Sequence, residues 1–208
     1  ERPKAAGLVL ISPAIGVSSL APYAVWQGRL GALLGLDKLE WTDIKPEYDP
    51  FKYNSFAVNA GDQMYRLTSE ISRLITRYAE RGGLERLPPM LAFQSSVDAT
   101  VSTRALIDSL FAKLPANGHR LLLFDINRIP GIEPLLKQDP ALTFSDFLER
   151  KTLPFTLSIV TNSQQGNREV IMQTRIENQA KISVSDTGLQ WPREVYSLSH
   201  IALPFAEN

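Results

Sequence analysis

An α/β fold, with a parallel sheet and crossover helices, is the class this sequence predicts, and three observations predict it. Continuous apolar runs recur at Gly7-Leu8-Val9-Leu10-Ile11, Met90-Leu91-Ala92-Phe93 and Leu121-Leu122-Leu123-Phe124. Runs of this kind fit strands covered on both faces, as found inside parallel sheets. Between them lie two segments with apolar residues spaced three and four apart. Met64, Leu67, Ile71, Leu74, Ile75 and Tyr78 mark one buried helix face, and Leu106, Ile107, Leu110, Phe111 and Leu114 mark another. Strand, helix, strand, helix, strand is the order of crossover connections in a parallel sheet.

The elements follow in order. The first strand stops at Ser12-Pro13, where proline removes a ladder donor. A two-sided strand needs neighbours on both sides, yet this one begins a few residues after Glu1, with no secretory leader before it. The chain is therefore expected to be a piece of something longer. Residues 17–62 read as a lid-like region, with a helical patch over 23–34 and turn signals at Lys45-Pro46 and Asp49-Pro50. Tyr23, Trp26, Trp41, Tyr48, Phe51, Tyr53 and Phe56 all fall here. They form either a small satellite core or the inner wall of a lid that meets an apolar substrate.

The long helix ends at Gly82-Gly83, as glycine at a helix C-terminus allows. Ser102 is the expected N-cap of the next helix, and Asn117-Gly118 is a turn signal. Residues 143–150 predict a short helix, with Thr143 and Asp146 spaced as a capping box. Residues 155–161 and 169–176 read as β-strands joined by a polar connection at 163–167. Together they predict a β-hairpin inserted within residues 128–194. No internal repeat is present.

The composition excludes several functions. The 208 residues suit one domain or most of one, with 44% hydrophobic and 21% charged residues. Because 22 Lys and Arg balance 22 Asp and Glu, there is no basic excess to bind nucleic acid or an anionic membrane. No apolar run approaches the roughly 18–20 residues of a spanning helix. There is no cysteine, so thiolate metal sites and cysteine nucleophiles are excluded; with only two histidines, a histidine-rich zinc site is not expected either.

In open α/β sheets, reactive groups gather just beyond the carboxyl ends of the strands. Asp98 follows the second apolar run, in a strand-to-helix loop where it can face the crevice and accept from an imidazole. The alternative is a loop aspartate that organises a turn or caps the helix. His200 lies in Val195-Tyr196-Ser197-Leu198-Ser199-His200-Ile201-Ala202-Leu203-Pro204-Phe205, where it is either a reactive histidine or one packed beside apolar neighbours. His119 follows Asn117-Gly118 at the opposite end of a strand and is expected to be an exposed turn residue. Asp125, just after the third strand, is a rival acid.

Taken together, these segments resemble the α/β-hydrolase superfamily, particularly its lysophospholipase and serine-aminopeptidase-like branch. Leu8-Val9-Leu10-Ile11-Ser12-Pro13-Ala14 is similar to the strand after the nucleophile-bearing helix. Asp49-Pro50-Phe51-Lys52-Tyr53-Asn54-Ser55-Phe56 resembles the stretch that closes the lid region. Residues 89–101 resemble the acid strand and loop, which places the family's catalytic aspartate on Asp98. His200 in Leu198-Ser199-His200 matches the family histidine. The resemblance covers residues 1–127 and 195–205, and the order of acid before histidine agrees with the superfamily.

Three features depart from the family pattern. Ser95 stands where family acid loops usually carry glycine. The interval from Asp98 to His200 is far longer than usual, which the inserted hairpin accounts for. No Gly-x-Ser-x-Gly elbow occurs, since Ser18 follows Gly16 but position 20 is leucine.

The resemblance implies a cofactor-free serine hydrolase of carboxylic esters, lipid-like acyl substrates favoured. Tyr23, Trp26, Phe51 and Phe56 are the candidate substrate-binding wall. The serine and the oxyanion donors would come from the N-terminal portion of the same protein, so this chain alone is expected to be inactive. The competing reading is a binding protein on a hydrolase scaffold. A nucleotide-binding domain is poorly supported, since neither Gly-x-Gly-x-x-Gly nor a P-loop occurs.

Overall fold

The computed structural model describes residues 5–16, 33–34, 41–43, 56–98, 101–129, 136, 139–193 and 195–197. Eight strands, three longer helices and a short 3₁₀ turn (Gly83–Arg86) are seen among them. β1 (Leu8–Ile11), β4 (Met90–Ser95), β5 (Arg120–Phe124) and β6 (Thr156–Asn162) lie side by side in parallel. β7 (Glu169–Arg175) and β8 (Ile182–Gln190) continue the same sheet antiparallel. Its order is β1-β4-β5-β6-β7-β8, and β2 (Trp41–Asp43) pairs with β3 (Phe56–Ala57) in a separate two-stranded sheet. The protein is thus of the α/β class with a mixed sheet.

Helix α1 (Val58–Glu80) connects β1 to β4, helix α2 (residues 103–113) connects β4 to β5, and α3 (Pro140–Leu148) precedes β6. The parallel strands advance across the sheet in chain order, and right-handed crossovers then put every connecting helix on one face. The packing agrees. Leu8, Leu10, Met90, Ala92, Leu121, Leu123, Leu157 and Ile159 share that face by register. They meet Ile75 and Ala79 of α1, Leu106 to Phe111 of α2, and Phe144 and Phe147 of α3 in one core.

Helix α2 starts where the sequence predicts: Ser102 Oγ accepts from Ala105 N at 3.1 Å. It is irregular, passing from an α turn (Thr103–Ala105) through a π turn (Leu106–Leu110) to a 3₁₀ turn (Phe111–Lys113). Its five predicted apolar positions are all buried, which shows that core contact rather than ideal geometry governs this segment. Just past the end of α1, Gly82 has a φ of +66°, the left-handed conformation that favours glycine.

Several expectations are corrected. The apolar stripe of α1 does not face the described core: Leu67 is 54% and Tyr78 55% exposed. Of the stripe, Ile75 at its margin packs against that core, and the helix otherwise meets the body through Ala79, Ser72, which donates to Ile15 O, and Thr76, which accepts from Lys113. That contact line lies about 100° around the axis from the stripe. β1 is covered on one face only, with Val9 65% exposed, and it forms an edge of the described sheet. α3 begins three residues before the expected capping box. Asp139 is its N-cap, accepting from Ala141 N at 2.8 Å, and Pro140 supplies the preset first position. The two strands of the expected hairpin are antiparallel neighbours, but β6 also pairs with β5, so they extend the main sheet, and β8 adds a strand the sequence reading missed.

His119 is the clearest correction. It is fully buried, not an exposed turn residue. Its Nδ1 accepts from Met90 N at 3.1 Å, and its carbonyl accepts from Thr156 N, so it ties β4 and β6 together at the amino end of the sheet. Burial pushes its pKa down, against a smaller upward pull from Glu177. A lowered folded pKa makes the unfolded chain the better proton acceptor. The stability this contributes is fully present above the unfolded value near 6.5 and is lost as pH falls through the lowered folded value. We expect the wild-type chain to lose unfolding free energy between pH 7 and 5.5, and His119→Phe to lose less over that window. Parallel slopes in urea titrations of the two proteins would refute this.

Candidate active site

The carboxyl ends of β1, β4, β5 and β6 open at one end of the sheet, because these four strands are parallel. Asp98 sits there, in the turn that leaves β4. Its Oδ1 accepts from Val101 N at 3.0 Å and its Oδ2 from Gln94 Nε2 at 3.2 Å. The first of these organises the turn; the second is not required by it. Both hold the plane of the carboxylate.

The loops on either side are tied down. Ser96 N donates to Phe124 O, joining the acid turn to β5. Thr103 Oγ1 donates to Ser95 O at 3.0 Å, and Ser102 N donates to Gly16 O at 2.8 Å. A Cβ on Gly16 would overlap the Ala105 side chain, so the approach of this loop to α2 requires glycine. Ser12, just beyond β1, adopts a φ of +45°, a conformation that costs a non-glycine residue about 1–3 kcal/mol.

Buried polar atoms without partners concentrate at this end. Ser12 Oγ, Gln94 Oε1, Ser95 Oγ and Ser96 Oγ have no hydrogen-bond partner among the described residues. All four lie at the carboxyl ends of β1 and β4. Most buried polar groups in folded proteins are satisfied, and exceptions cluster where ligands, waters or reactions occupy the space. Ser95 itself is fully buried.

The rival acid is engaged elsewhere. Asp125 accepts from Arg128 Nε at 2.7 Å and Nη2 at 3.1 Å, and from Thr161 Oγ1 at 2.7 Å. Arg128 also holds Asp139, at 2.9 Å from Nη2 to Oδ1. Burial opposes the charge of Arg128, but its bonds to Asp139 and Asp125 outweigh that and push its pKa up. The Arg128 guanidinium beside Asp139 holds that carboxyl below the usual carboxylate range. With both oxygens committed to a guanidinium, Asp125 is a structural ion-pair partner that joins β5, β6 and α3.

Beside it, two asparagines build a clamp. Asn127 N donates to Tyr196 O at 2.8 Å and Asn127 Nδ2 to Val195 O at 3.0 Å. Asn162, the last residue of β6, donates to Asn127 Oδ1 at 3.0 Å and accepts from Arg128 N at 2.8 Å. Both asparagines are buried. The segment 195–197 is thereby held at the same end of the sheet as Asp98. Sequence reasoning missed this clamp, because an isolated asparagine after a strand looks like any turn residue.

Of the predicted site residues, Asp98 lies at the expected end of the sheet. His200, Tyr23, Trp26 and Phe51 lie outside the described residues, as does the side chain of Phe56, whose backbone forms β3. Among the described residues no cluster of His, Asp and Glu could hold a metal ion, and no helix is long and apolar enough to cross a membrane. Compared with known proteins, the chain matches no family model, no curated protein and no solved structure.

Proposed function

We propose that this chain supplies the acid and the histidine of an α/β-hydrolase that acts on carboxylic esters, lipid-like acyl substrates favoured. The observation that carries the reading is the asparagine clamp. It holds Tyr196 at the mouth of β5, the strand next to the one that bears Asp98. Adjacent strands lie about 4.8 Å apart, and the four residues from 196 to 200 can span up to roughly 14 Å. His200 is therefore within chain reach of the Asp98 carboxylate. The same clamp gives a physical account of the long acid-to-histidine interval, since Asn162 belongs to the added strands.

In this reading a serine from the N-terminal portion of the protein attacks the ester carbonyl. His200 takes the serine proton and returns it to the leaving alcohol, while Asp98 orients the imidazole and stabilises its charged form. Tyr23, Trp26, Phe51 and Phe56 would line the acyl site. The uncovered apolar surface supports the need for that N-terminal portion: Val9 and Ile11 are exposed on the face of the sheet away from the helices, and Leu67, Leu74 and Tyr78 are exposed along α1. Such surface on a sheet and helix side by side suits coverage by further strand and helix.

The 208-residue chain alone should show no turnover of a p-nitrophenyl ester, and mixing with the N-terminal portion should restore it. Turnover by the isolated chain would sink the proposal. The second reading, a binding protein on a hydrolase scaffold, draws on the buried Ser95 and on the exposed apolar residues Val184 and Leu189 of the outer strand β8. A Gly-x-Ser-x-Gly elbow upstream of residue 1 favours the enzyme, and its absence there favours the binder.

A further inference from the structure

The side chain of Gln94 has no role in the sequence reading. It points from β4 to the helix-covered face of the sheet, in register with Met90, Ala92 and Leu123, where the neighbours are aliphatic. A fully buried amide in such a place costs free energy unless its polar atoms are met. A valine or leucine here would pack with the core and avoid that cost. Something other than packing accounts for glutamine.

Its contacts supply the answer. A carboxylate can only accept, so the amide nitrogen must be the atom that faces Asp98. Nε2 donates to Asp98 Oδ2 at 3.2 Å and lies 3.4 Å from Ser95 O. Val101 N holds the other carboxylate oxygen at 3.0 Å. Each oxygen thus has a donor among the described residues, so rotation of the carboxylate about its last bond breaks both of these bonds. The Gln94 Oε1 has no partner among the described residues and is buried, so the amide is oriented toward Asp98 at the expense of its own acceptor. A side chain selected for stability alone would satisfy both ends.

We infer that Gln94 is the positioning residue of the catalytic acid: it holds the Asp98 carboxylate in the plane that receives the imidazole. This rests on Asp98 being that acid. An amide donor favours the charged carboxylate, and a second carboxylate in its place would disfavour it. A merely structural glutamine would influence folding and leave the pH dependence of turnover alone.

The test uses the complete protein, N-terminal portion included, with p-nitrophenyl butyrate as probe. Gln94→Met keeps length and removes the donor; Gln94→Glu keeps shape and replaces the donor with an acid. Asp98→Asn is measured beside them, with kcat and KM followed from pH 5 to 9. Gln94→Met should lower kcat about tenfold with KM within about twofold of wild type, as loss of one bond to a charged group suggests. Gln94→Glu should move the acid limb of the kcat/KM profile upward by about one pH unit. Should Gln94→Met fail to fold, the isosteric Gln94→Glu decides by itself. If Asp98→Asn costs 10³-fold or more in kcat while the Gln94 variants keep the wild-type kcat and acid limb, the inference is overturned and the hydrolase reading survives. If Asp98→Asn is neutral, the assignment of Asp98 has failed, and the role of Gln94 falls with it.

Discussion

Replacing His200 by alanine should, on the proposed hydrolase reading, lower kcat by about 10⁴-fold or more while leaving KM within a few-fold, because the general base would be gone and the binding surface intact. Asp98→Asn should cost about as much. It keeps the size of the side chain, but it removes the charge that stabilises the imidazolium and lets the imidazole settle in the wrong tautomer. The two losses should not add, since residues that act on one proton transfer fail together. A double variant no worse than His200→Ala is therefore the expected result. Esterase activity that survives His200→Ala would remove the histidine from the mechanism. Activity that survives only Asp98→Asn would leave the histidine in place and show that its orienting acid lies elsewhere.

The largest stability effect is expected at Arg175, far from this chemistry. Its guanidinium is 1% exposed on β7. Nε donates to Gln179 O at 2.8 Å and Nη2 to Lys151 O at 3.1 Å, and Nη1 donates to Phe147 O and Leu148 O. Three of these acceptors lie in or just after the last turn of α3, where carbonyls have no partner within the helix and the helix dipole is negative. Arg175 therefore caps α3 from the neighbouring strand. Arg175→Met fills the space but leaves those carbonyls buried and unmet. Loss of several bonds to a charged donor, partly offset by removing a buried charge, should destabilise the protein by roughly 3–5 kcal/mol. For a chain of this size that is a fall in Tm on the order of 10 °C. Arg175→Lys should fall between, since an ammonium keeps the charge but not the fork. A Met variant that unfolds at the wild-type urea midpoint would show that the end of α3 is hydrated and needs no cap.

Much of the fold was legible because its signals are local. The runs at 8–11, 90–93 and 121–124 are strands, since apolar β-rich segments between turn signals have few alternatives. Ser102 and Gly82 carry their own backbone preferences and mark helix ends wherever the helix packs. Asp98 could be picked out because the mouth of a parallel strand is a defined place. The missed or misjudged elements depend on partners distant in the chain. β8 has polar and apolar residues on an exposed edge, so its periodicity is weak, and only the ladder with β7 makes it a strand. The start of α3 is carried by Asp139-Pro140, a cap-and-first-turn signature stronger than the box at Thr143.

By itself the sequence determined the α/β class, the alternation of strands and helices over residues 8–124, and the position of Asp98 beyond β4. These follow from hydrophobic periodicity and backbone preference, which act within a few residues. Only the tertiary structure decided that His119 is buried, that Asp125 belongs to Arg128, that Asn127, itself held by Asn162, grips residues 195–196, and that Gln94 faces Asp98. A polar side chain reads the same in sequence whether it faces water or a partner dozens of residues away. Its role is set by which donor or acceptor the fold brings within about 3 Å, and that is a property of the packed chain.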